Sequence, residues 1–114
     1  MKKFILVCML IFLLCGCNQL SNDSDIKKLM SENDYVIVDV RTQEEYEEEH
    51  LVGAINISYD ELDENSDLDK EKVIFVYCKS GNRSKIAFTT LNDLGYKVYD
   101  LGALSSIDLP KEKM

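Results

Sequence analysis

The sequence predicts an α/β fold, with helices flanking a mainly parallel central sheet. Three observations carry that expectation. Val73-Ile74-Phe75-Val76-Tyr77 is a run of β-branched and aromatic residues without polar alternation, the pattern of a strand covered on both faces. Strand-like runs alternate with helical spacings along the chain, the order that builds parallel sheets through crossovers. Between the central run and the next helical spacing lies Cys78-Lys79-Ser80-Gly81-Asn82-Arg83-Ser84, a loop of small and charged residues.

The chain opens with Lys2 and Lys3 ahead of an apolar run, Phe4 to Leu14, followed by Cys15-Gly16-Cys17. That run is too short for a bilayer span of about 20 residues but fits the apolar core of a secretory signal. Leu14-Cys15-Gly16-Cys17 resembles the bacterial lipoprotein signal. The resemblance implies a signal over residues 1–17 and lipid on Cys17, with the protein held outside the cytoplasm on the bacterial cell membrane. A plain signal peptide cut nearby is the alternative. On the lipoprotein reading Cys8 and Cys15 leave with the signal, Cys17 carries lipid, and Cys78 stays as the one free thiol, so no intrachain disulfide forms.

Two of the 13 basic residues and none of the 21 acidic ones precede residue 17, so processing makes the chain more acidic than its formal net charge of −8. Such a surface argues against nucleic acid as a partner and against docking on anionic lipid through a basic patch. Contact with the membrane is expected through the lipid.

Residues 18–25 (NQLSNDSD) form a polar stretch expected to be a linker, and residues 26–114 one domain. Ile26, Leu29 and Met30 have helical spacing, with Ser24 or Asp25 as the cap. Tyr35 to Val40 reads as a buried strand. Thr42-Gln43-Glu44-Glu45 is a capping box for a helix running to about His50, with Glu44, Glu47 and Glu48 towards water. Ala54 to Ile57 is a short strand, Tyr59 to Leu62 a turn of helix, and Asn65 to Lys72 a charged connection. After the central strand, Ile86, Ala87, Thr90, Leu91 and Leu94 share a helical face, and Gly95 ends that helix in a left-handed turn. Lys97 to Leu101 is the last strand, and Gly102 starts the exit.

The chemistry centres on Cys78. A strand that runs through a small-residue loop into a helix aims backbone N–H groups and the positive end of the helix dipole at one point. With Lys79 and Arg83 close by, such a cradle favours a thiolate and seats an anion. A small buried hydrophobe is the commoner fate of a free cysteine, but it fits poorly among Lys79, Gly81 and Arg83.

Tyr77 to Ser84 resembles the active-site loop of the rhodanese family of single-domain sulfurtransferases. Val38-Asp39-Val40-Arg41, Glu45-Tyr46 and His50 to Asn56 resemble the family's upstream signature, and the match runs from about Val36 to Gly102. The resemblance implies a small rhodanese-like domain in which Cys78 accepts a sulfane sulfur as a persulfide and passes it on. It implies substrate contacts from Lys79, Ser80, Gly81, Asn82, Arg83 and Ser84, with no cofactor. The donor would be a small anion such as thiosulfate; the acceptor would be a thiol, cyanide or a protein. The related phosphatases and arsenate reductases carry one residue more between cysteine and arginine, so the short loop favours sulfur. A persulfide carrier serving a partner protein is the second reading.

Asp39, Arg41 and His50 are the supporting candidates. Asp39 and Arg41 either brace the pocket or form an ion pair that pins the next helix through Arg41 and Glu45. His50 invites a Cys-His pair, but its counterpart in the family looks structural. One histidine and one available cysteine do not make a structural zinc set, and neither acidic run has the calcium-loop pattern, so no metal is expected. Four positions depart from the family: Glu49 and Val52 stand where Gly and Pro are frequent, and Ala103 and Ile107 where a second Gly and a Trp are frequent. These positions are expected to shape the entrance.

Overall fold

The computed structural model describes residues 23–114. The signal segment, the lipidation expected at Cys17 and residues 18–22 of the expected linker lie outside the described residues. The first helix of the described residues, α1, spans Asp23–Glu32 and includes Ser24 and Asp25.

Four strands form a parallel sheet: β1 (Tyr35–Asp39), β3 (Ile55–Asn56), β4 (Val73–Cys78) and β5 (Lys97–Ala103), in the order β3-β1-β4-β5. The central place of β4 explains its lack of alternation, since all six of its residues are buried. Val73, Phe75 and Tyr77 face a core shared with Ile26, Leu51, Leu104 and Ile107. Ile74, Val76 and Cys78 face the opposite core, with Val38, Ala87 and Leu91.

The capping box at Thr42 is present. Its hydroxyl accepts from the Glu45 N–H at 3.3 Å, the Glu45 carboxylate accepts from the Thr42 N–H at 3.2 Å, and α2 runs Gln43–Glu48. A single 3₁₀ turn spans Tyr59–Glu61. The long helix α3, Asn82–Asp93, packs Ser84, Ala87 and Leu91 on the sheet. Ile86, which the helical spacing placed on the apolar face, is exposed instead. Gly95 ends the helix with φ 93°, and the N–H groups of Gly95 and Tyr96 return to Asn92 O and Leu91 O, a left-handed cap that satisfies the last carbonyls.

Two features exceed the sequence reading. Strand β5 continues to Ala103 through a bulge: Val76 pairs with Asp100 but Tyr77 with Gly102, leaving Leu101 as the extra residue. The C-terminal segment also folds back, so that β6 (Lys111–Glu112) pairs antiparallel with β2 (His50–Leu51). Val52 extends this pairing by donating its N–H to Pro110 O at 2.9 Å, a bond that a proline at position 52 lacks the hydrogen to make.

Leu91 is the fully buried anchor of α3. Leu91→Ala is expected to cost about 2–5 kcal/mol of stability, read as a lower urea midpoint with an unchanged m-value.

Candidate active site

Cys78 ends β4 with no exposed surface, its side chain turned to the α3 side of the sheet. The chain leaves through Lys79 and Ser80, both exposed, and reverses at Gly81. Gly81 has φ 97°, a left-handed conformation that side-chain-bearing residues adopt at a cost. From there its N–H points back and donates to the Cys78 Sγ at 2.9 Å. The Cys78 thiol also donates to Ser84 Oγ at 3.5 Å, and the Ser84 hydroxyl donates to Gly81 O at 3.1 Å. Gly81 caps α3 without a side chain, so the helix start adds its dipole and free N–H groups to the same end of the loop. Asn82, the first helical residue, is exposed. The sulfur thus lies at the base of a hydrogen-bonding loop, as the sequence pattern anticipates.

The guanidinium of Arg83, which the sequence reading assigns to the donor anion, forms two bonds to the Glu45 carboxylate, at 2.7 and 3.0 Å. The pair fastens the loop to α2, and Glu45 serves both Arg83 and the Thr42 cap. Arg83 holds the Glu45 carboxyl at about 2 against the burial that raises it, with the Thr42 hydrogen bonds adding to the effect. The Arg41–Glu45 pair considered in the sequence is therefore not the one that forms.

Arg41 instead grips Asp39. Its Nε lies 2.9 and 3.1 Å from the two carboxylate oxygens, and its terminal nitrogen 2.6 Å from Oδ2. The hydroxyl of Tyr77 donates to Asp39 Oδ2 at 2.8 Å and accepts from the Leu51 N–H at 3.1 Å. Burial raises the Tyr77 pKa far above the usual phenol range, and the Asp39 charge adds to it, so the hydroxyl keeps its proton. Arg41 also donates to Glu49 O, and the Asn56 side chain caps Asp39 O and Arg41 O at 3.0 Å each. Asp39 and Arg41 thus brace Tyr77, the residue that precedes Cys78.

His50 is buried and stacked on Tyr46, with ring centroids 3.9 Å apart. Its Nδ1 donates to Tyr46 O at 2.6 Å, and its Nε2 faces Glu112 Oε2 at 3.2 Å. Both ring nitrogens are engaged by α2 and β6, and neither serves Cys78.

A cavity of about 330 Å³ adjoins the loop, lined by Arg41, Glu45, Glu48, Glu49, Lys79, Leu104 and Ser105. Of the departures noted in the sequence, Glu49 lines it, Ala103 pairs in register with Cys78, and Ile107 is buried in the core away from any entrance. A larger open hollow of about 690 Å³, between Met30 and Lys72, lies at the amino end of the strands, opposite the sulfur.

The sequence reading missed two partners. Glu45 stood out as a capping residue and as a partner for Arg41, and its pairing with Arg83 at the loop end went unnoticed. Tyr77 counted as one more apolar strand residue, although a tyrosine inside a fully buried strand requires a partner for its hydroxyl.

Fold and site together define an α/β protein with a buried thiol at the end of its central strand, beneath a loop closed by a helix start and an ion pair. Residues 22–105 match the Rhodanese-like domain, and the chain belongs to that family. It is 43% identical over 76 residues to thiosulfate sulfurtransferase GlpE of Coxiella burnetii, covering 65% of this chain and 71% of that one. It is 40% identical over 80 residues to thiosulfate sulfurtransferase PspE of Escherichia coli K12, covering 67% and 77%. A solved rhodanese with anions from E. coli superposes with a TM-score of 0.65 at 38% identity, over 70% of this chain and 99% of that one. The protein is a rhodanese-type sulfurtransferase.

The Glu45–Arg83 pair generates a pH dependence. Above the ordinary carboxyl value of 4.5 both folded and unfolded chains are ionised at Glu45, and the contribution of the pair is complete. As pH falls below 4.5 the unfolded chain takes up a proton that the folded one refuses until about 2, so stability is lost across that window. Glu45→Gln is expected to remove this component, checked by chemical denaturation of both proteins between pH 7 and the acid limit of folding.

Proposed function

We propose that the protein transfers a sulfane sulfur from thiosulfate, or a donor of the same chemistry, to a thiophilic acceptor through a persulfide on Cys78. The thiolate of Cys78 attacks the outer sulfur of thiosulfate and forms an S–S bond. The bond between that sulfur and the sulfonate sulfur breaks, and sulfite leaves with its electron pair. An acceptor thiolate or cyanide then attacks the outer sulfur, the persulfide bond breaks, and Cys78 returns as thiolate. No external oxidant or reductant is needed.

The observation that carries this reading is the Gly81 N–H held 2.9 Å from Sγ at the start of α3. A donor fixed in the fold stabilises charge on sulfur without reorganising during the reaction. With Arg41 and Arg83 both committed to carboxylates, Lys79 is the cation left to meet an anionic donor. Arg83 then works through Glu45, holding the loop in place. The names of the GlpE and PspE relatives support thiosulfate as the donor.

The same reading places the protein outside the cytoplasm, tethered by lipid on Cys17. The lysine pair, the apolar run and Leu14-Cys15-Gly16-Cys17 support it.

Thiosulfate is expected to add one sulfur atom to the wild-type domain and none to Cys78→Ser, seen in intact mass. A domain that gains no sulfur at Cys78 overturns the assignment. For the tether, wild-type protein is expected in the membrane fraction and Cys17→Ala outside it or unprocessed. A wholly soluble wild type with an unmodified Cys17 refutes the anchor.

A further inference from the structure

The carboxyl-terminal segment is held by polar contacts with little apolar burial behind them. Beyond Ile107 only Leu109 is half-buried, and Pro110 to Met114 are exposed. The segment docks through the β2–β6 pairing, the Val52 N–H to Pro110 O at 2.9 Å and the Met114 N–H to Glu47 O at 3.1 Å. His50 Nε2 and Glu112 Oε2, 3.2 Å apart, complete the set. A segment that buries so little opens at low free energy, so each contact weighs heavily on whether it is docked.

The His50–Glu112 contact depends on a proton. Tyr46 O can only accept, so its 2.6 Å contact places the hydrogen of a neutral ring on Nδ1. Nε2 then carries a bare lone pair, and it faces a carboxylate that also only accepts. A hydrogen bond joins them while a further proton lies between, which makes the ring an imidazolium paired with Glu112. The ring is buried and stacked on Tyr46, which holds this orientation.

The other charged groups on the elements packed against β2 have different partners or face water. On α2 the Tyr46 hydroxyl donates to Ala54 O, and burial raises its pKa, so it stays neutral. Glu45 is paired with Arg83, and Glu44, Glu47, Glu48 and the following Glu49 are exposed. Asp39 of β1 is paired with Arg41. Beside Glu112, the Lys111 ammonium donates to Ile107 O and Lys113 is exposed.

We propose that His50 and Glu112 form a proton-dependent latch, which fastens the carboxyl-terminal strand to β2 while the ring is doubly protonated and loosens it when the second proton leaves. The docked strand holds a proton that the released one does not need, so rising pH favours release. Strand β2 also gives its Leu51 N–H to the Tyr77 hydroxyl, so the latch acts on the strand that anchors the residue before Cys78.

The test is NMR on the wild-type protein, in which His50 is the one histidine. Its ring nitrogen shifts should show Nδ1 protonated throughout and only Nε2 titrating. Amide exchange at Val52 and Met114, corrected for intrinsic rates, should be about threefold faster at about pH 8.5 than at about pH 6, the scale of an ion pair with one exposed partner. Exchange at Val76 in β4 should stay unchanged, which separates release of the strand from loss of the fold. Glu112→Gln alters an exposed side chain, so the fold is retained. Its amide accepts from a protonated Nε2 and donates to a bare one, so the difference between the two pH values should vanish. A neutral ring with its hydrogen on Nε2, equal exchange at both pH values in wild type, or the same difference in Glu112→Gln overturns the latch.

Discussion

The Asp39 carboxylate, with no exposed surface, is the constraint on which the sulfur's position depends. It sits at the carboxyl end of β1 and accepts from the Arg41 guanidinium, the Arg41 N–H and the Tyr77 hydroxyl. Burying an ion pair costs several kcal/mol of desolvation per charge unless the remaining donors and acceptors are satisfied. Here they are: Tyr77 takes the Leu51 N–H, Arg41 reaches Glu49 O, and no buried side-chain polar atom among the described residues lacks a partner. One network therefore joins the ends of β1 and β4 to β2 and to the end of α2. Tyr77 is fixed on one core face, which leaves Cys78, the next residue, fixed on the other.

The other edge of β4 is shaped by the bulge in β5. Gly102 takes φ 82° and gives its N–H to Asp100 Oδ1 at 2.8 Å, which shifts the register so that Ala103 lies beside Cys78. Strand β5 thereby reaches as far as the loop, and Leu104 and Ser105 turn into the wall of the cavity. Bulges recur where a strand must be re-aimed near a site. Cys78 is thus held from β1 through an ionic network and from β5 through a backbone irregularity, while the loop above it depends on Gly81 and the Arg83–Glu45 pair.

Much of this was legible from residue types. The unalternating run at β4 announced a doubly covered strand, Thr42 to Glu45 announced a helix start, and Gly95 announced a helix end. Each of these signals is local, set by nearest-neighbour sterics and capping chemistry. The cysteine with its small-residue loop was legible for the same reason. Partnerships were less so. Arg83 and Glu45 lie 38 positions apart, as do Tyr77 and Asp39, and composition cannot say which carboxylate an arginine will meet. The β2–β6 pairing was invisible because two-residue strands carry no periodicity, and its bonds, His50 to Glu112 and Val52 to Pro110, join residues far apart in the chain.

The fate of the arginines decides what kind of anion site this is. An arginine free to offer its planar fork to an oxyanion makes a site that grips a tetrahedral group at two oxygens. Both arginines near Cys78 have already given that fork to a carboxylate, Arg41 to Asp39 and Arg83 to Glu45. What remains beside the sulfur is the Gly81 N–H from which it already accepts, the start of α3 and the ammonium of Lys79. A backbone donor directed at a single atom suits charge concentrated on one sulfur. The ion pairs therefore do more than stabilise the fold. By occupying both guanidinium forks, they leave the start of α3 and the Lys79 ammonium as the positive features beside the sulfur.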